Sequence, residues 1–183
     1  MALLKSQGFV EDDWTILADD EAPPASGDVV VSFVRLKRDW DALVDHDGRL
    51  GVVFPNSERE EALRIYIQRL QLVVLNFPAF NDGRSYSIAR QLRLEGFAGE
   101  LRATGNVLPD QLQFMLQVGF DSLDVNDRFP RDYWLRYLRR MSLTYQHDLA
   151  DGKSPNPAAS VWVARQSEPA PPENGRKARG VKE

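Results

Sequence analysis

Asp82, Gly83, Arg84 and Ser85 follow one another in "FNDGRSYSIARQLR", where an apolar run hands over to a helical pattern. A glycine there lets a ligand approach the backbone, and the unpaired N–H groups of a first helical turn attract negative charge. Arginine adds a forked donor that matches an oxyanion. Gly83, Arg84 and Ser85 are therefore candidate binders of a small anion such as sulfite, sulfate or a phosphate group. The plainer alternative has Asp82 capping the helix, Gly83 turning the chain and Arg84 pairing with a nearby acid at the surface.

Arg102 lies in "GELRATG", where alternation sends Leu101 and Ala103 to one face and Arg102 with Thr104 to the other. An arginine inside a covered strand must find a partner. That partner is either an anionic ligand or an acid in a structural ion pair, with Asp82, the surroundings of Glu100 and Asp124 as the choices. Asn106, in the turn that follows, either orients a ligand or serves for its backbone freedom. Were the chain an enzyme, Asp82 and Asp124 would be its candidate bases; no catalytic residue is otherwise identified.

Other chemistry is excluded or unsupported. The chain has no cysteine, which removes disulfides, thiol catalysis and clusters held by its own thiolates. Its two histidines, His46 and His147, stand far apart, so no metal site is expected. Dinucleotide, Walker-type and nucleophile-elbow glycine motifs are absent, and no cofactor is evident. A net charge of -4 argues against general nucleic-acid binding, and no apolar run is long enough to span a membrane. The expected location is cytoplasmic.

The elements that would position these residues alternate. Strands are expected at 29–36, 49–54, 70–77, 99–104 and 121–125, with helical patterns after each. Ser57 and Glu60 form a capping-box signature, Gly96 and Gly119 read as helix stops, and Pro109 opens a helix. The run "LQLVVLNF" is apolar in both alternating sets, as a strand covered by helices on both sides would be. The expected fold is α/β, with about five repeated βα units and a parallel sheet, either open and doubly wound or partial (βα)-barrel-like. Residues 1–28 read as an irregular or hairpin-like lead-in packing on the domain, 29–150 as a single domain and 151–183 as a flexible C-terminal tail, disordered over its last stretch.

Two motifs carry a resemblance. D-G-R-x-Y-S-x-A-R-x-L-R is matched by Asp82 to Arg93, and G-E-L-R-A-x-G-x-V-L-x-D-Q-L by Gly99 to Leu112. With these the chain resembles, over about residues 10–148, a bacterial family catalogued as domain of unknown function 934. Asn81 and Pro109 depart from it, standing where relatives often carry Thr and Arg. The resemblance implies a link to assimilatory sulfite reduction, with sulfite reductase as the partner, and a family label of probable oxidoreductase. A chain with neither cysteine nor a dinucleotide fingerprint has no evident means of moving electrons, so an accessory or anionic-ligand-binding role is preferred. The alternative is a (βα)-type enzyme acting on a small anionic or phosphorylated substrate.

Overall fold

A computed structural model describes residues 2–140. Its strands are β1 (Ala2–Lys5), β2 (Gly8–Val10), β3 (Thr15–Ile16), β4 (Val29–Ser32), β5 (Leu50–Phe54), β6 (Leu70–Phe77), β7 (Glu100–Gly105) and β8 (Ser122–Val125). The helices are α1 (Phe33–Arg38), α2 (Trp40–Leu43), α3 (Arg84–Leu94), α4 (Leu112–Val118) and α5 (Arg131–Arg140). All strands belong to one sheet, ordered β2-β1-β8-β7-β6-β5-β4-β3.

From β3 to β8 the strands are parallel and neighbours in space follow chain order. Sequential order without a reversal point is the winding of a partial (βα) barrel and not of a doubly wound sheet. The chain's own length enforces the curl. Strands β2 and β3 form the two edges; seven strand spacings would hold them about 34 Å apart on a flat sheet. The five Cα steps from Val10 to Thr15 reach at most about 19 Å. The sheet therefore bends through about half a cylinder, and residues 11–14 strap its edges together.

Several expectations need correcting. The sheet is mixed, because the lead-in is a hairpin: β1 pairs antiparallel with β2 and with β8, placing Leu4 opposite Leu123. Leu4, fully buried, anchors that pairing in the main core. Five regular βα units are not formed either. The crossover from β5 to β6 carries only a 3₁₀ turn at Glu60–Leu63, begun at Arg59 and without the Ser57 cap. Phe33 to Leu36, expected as strand, are helical because the Ser32 hydroxyl accepts the Arg35 N–H at 3.1 Å and starts α1. The expected tail lies outside the described residues.

The core sits between the sheet's outer face and the helices, and takes in Val29, Val31, Val52, Phe54, Val73, Leu75, Phe77, Leu101, Ala103 and Trp134. Helices do not cover β6 on both faces as expected. On the inner face Val30, Leu72 and Val74 form a smaller cluster against Trp14 of the strap and Val53. One segment of the lead-in thus does the work of a second helical layer.

Candidate functional site

Strand alternation divides β7 between these two faces. Leu101 and Ala103 enter the main core, while Glu100, Arg102 and Thr104 face inward. Parallel register sets Arg102 between Val74 and Ser122, and Lys5 of β1 lies opposite Ser122 on the far side. The inner face is therefore apolar across β4 to β6 and carries its charged groups on β7, β8 and β1.

Arg102 is only 5% exposed, and two carboxylates satisfy it. Its Nη1 donates to Asp12 Oδ2 at 2.7 Å and its Nη2 to Asp12 Oδ1 at 3.0 Å, a two-pronged contact from the strap. Nε and Nη2 also donate to Glu100 Oε1, at 3.1 and 3.0 Å. The same oxygen accepts from the Ser122 hydroxyl at 2.5 Å, and Lys5 Nζ lies 2.9 Å from Glu100 Oε2. Burial pushes the Glu100 carboxyl up, but the bonds from Ser122, Lys5 and Arg102 outweigh it and leave it below its ordinary value.

Asp124 lies next to this group, opposite Leu3. Its Oδ2 accepts from Thr104 Oγ1 at 3.4 Å. Burial raises its pKa, against the attraction of Arg102 and with the help of the Asp12 charge. An ionised Asp124 is a stronger base than an ordinary surface carboxylate.

The other predicted residues gather at the mouth, where β6 gives way to α3. Asp82 Oδ1 accepts the Arg84 backbone N–H at 3.2 Å and its Nε at 3.0 Å, and Oδ2 accepts from Arg84 Nη2 at 2.6 Å. Asn56 Nδ2 adds a bond to Oδ2 at 3.1 Å. Those bonds, led by Arg84, bring the Asp82 pKa down to about 2, so it is a weak base. Ser85 is buried and donates to the Asn76 carbonyl at 2.7 Å, while Asn106 donates to the Pro78 carbonyl at 2.6 Å. Gly83 is exposed; a Cβ built on it meets nothing within 4 Å.

The structure therefore brings together Asp82, Gly83, Arg84, Ser85 and Asn106 around one loop, and Arg102 with Asp124 on the inner face. The two guanidinium groups share no partner. Local sequence missed Asp12, Lys5 and Ser122: Asp12 is 90 residues from Arg102 along the chain. Only the acids before Trp14 in "VEDDW" hinted at a cation waiting across the sheet. Tyr86 packs among Phe77, Phe114 and Phe120, and burial raises its phenol pKa to about 12. Among the described residues no three His, Cys, Asp or Glu side chains cluster to hold a metal ion, and no helix is long and apolar enough to cross a membrane.

The chain is thus a curled, mostly parallel α/β half-barrel whose inner face is charged at one end. The family model described as bacterial protein of unknown function (DUF934) matches residues 51–156, more than half of the chain, and the protein belongs to that family. The matched span holds Glu100, Arg102, Ser122 and Asp124 but not the strap. No curated protein and no solved structure matches the chain.

Proposed function

We propose that this protein is a non-redox accessory component of assimilatory sulfite reduction that binds a small oxyanion on the inner face of its half-barrel, with Arg102 as the receiving group. One observation carries the reading. A nearly buried guanidinium already presents its fork to a two-oxygen anion, and that anion is the carboxylate of Asp12, itself 39% exposed. A small oxyanion offers the same pair of oxygens to the same fork. The pathway and its partner, sulfite reductase, follow from the family resemblance. At the mouth stands a second cation, Arg84, 59% exposed and paired with Asp82.

Titration calorimetry with sulfite, sulfate and inorganic phosphate tests the reading. Wild-type protein is expected to bind at least one of them. Arg102→Lys, which keeps the charge and loses the fork, is expected to bind it at least ~10-fold more weakly while staying folded. Absence of binding by the wild type would overturn the reading. Co-purification with sulfite reductase tests the partner.

A second reading, a (βα)-type enzyme on a small anionic or phosphorylated substrate, is favoured by the environment of Asp124. Its raised pKa and place beside Arg102 suit it to take a proton from a bound substrate, a role for which Asp82 is poorly matched. That reading requires turnover that disappears in folded Asp124→Asn.

A further inference from the structure

The two acids on Arg102 differ in kind. Glu100 comes from the same strand as Arg102, accepts from Ser122 and pairs with Lys5, so three neighbours hold it. Asp12 comes from a strap whose first three residues are all exposed, and its carboxylate bonds within the described structure only to Arg102 and the amide of Trp14. The latter bond is long, at 3.4 Å. Trp14 fixes the strap independently, packing on Val30, Leu72 and Val74 with the Arg49 guanidinium 4.8 Å from its ring centre. The Asp12 side chain can therefore rotate into solvent without the strap leaving the sheet.

Charge balance points the same way. With Asp12 in place, Lys5 and Arg102 are matched by Glu100 and Asp12. With Asp12 rotated out, the nearly buried fork loses its two-pronged acceptor and the group loses one negative charge. A single negative charge restores the balance. A second would face Glu100 and Asp124, whose own ionisation is already opposed by burial and by Asp12.

Building on the oxyanion reading above, we infer that Asp12 is a resident stand-in for the ligand. Its carboxylate occupies the Arg102 fork in the free protein and is exchanged for a monoanionic oxyanion. The strap thus sets affinity by competition. Where the resident acid keeps the fork free for only a fraction of the time, measured affinity is reduced by that fraction.

The experiment compares wild type, Asp12→Ala and Asp12→Asn, titrated with acetate as a monoanionic probe and sulfate as a dianionic one. If the fork is free ~10% of the time or less, both variants bind acetate at least ~10-fold tighter than wild type and prefer it to sulfate. Binding seen only in the variants, with none by the wild type, overturns the inference, because the resident acid is then never exchanged. Variants that bind no tighter than a binding-competent wild type overturn it and leave the oxyanion reading standing. No binding by any of the three overturns both. Should the variants fail to fold, the ¹³Cγ resonance of Asp12 in wild-type protein decides: a shift that saturates with acetate supports exchange, and an unmoved resonance overturns it.

Discussion

Asp82 and Asp124 are both acids at the carboxyl end of the half-barrel, and their surroundings push them in opposite directions. The Arg84 bonds lower Asp82 from 3.8 to about 2. Its contribution to stability is therefore present above the ordinary value and disappears as pH falls through about 2. Asp82→Asn is expected to flatten the melting temperature's dependence on pH between those limits, as a calorimetric series would show. Asp124 has the opposite sign. Its raised pKa means that ionisation disfavours the folded state, so its contribution is full below 3.8 and is lost as pH rises through the folded value. Asp124→Asn is expected to raise the melting temperature at pH 7 and to leave it unchanged near pH 3. Sequence made the need of Arg102 for a partner legible, since a cation in a covered strand cannot stand alone. Which acid met it was not legible, because Asp12 is set there by closure of the sheet and not by any local pattern.

At the scale of elements, the stops and starts written in single residues were the most readable. Gly119 ends α4 with φ at 110°, and a Cβ there would lie 2.6 Å from Arg93 Cγ. Arg93 is not free to retreat, because it holds the carbonyls of Phe97, Gly99 and Gly119 and the Asp121 carboxylate. Gly119→Ala is expected to cost more than ~1 kcal/mol in urea unfolding, since both the backbone angle and the crowding oppose it. The β6 strand was read to its limits, 70–77, from six apolar residues shared between both alternating sets. What covered its inner face was misjudged: periodicity reports that a face is buried but not whether a helix or a crossing segment buries it. Phe33 to Leu36 illustrate the converse, where β-prone residues were overruled by the hydroxyl of Ser32.

For the whole molecule, alternation of strands and helices gave the parallel arrangement from β4 to β8, and the choice between barrel-like and doubly wound order waited on the structure. A hairpin-like lead-in was one of the two readings of residues 1–28, but the antiparallel pairing that makes the sheet mixed was not legible, because Leu4 and Leu123 lie more than a hundred residues apart. Both devices that complete the sheet, hairpin and strap, come from the first fourteen residues. They also shield it. The hairpin occupies the hydrogen-bonding rim of β8, and Trp14 sits over Leu72 and Val74. A shortened protein beginning at Thr15 would lose both coverings at once and offer neighbouring molecules a bare pairing template beside an oily floor. Light scattering of that truncate is expected to report self-association at concentrations where the full chain stays dispersed, which would make the amino terminus this fold's guard against its own stickiness.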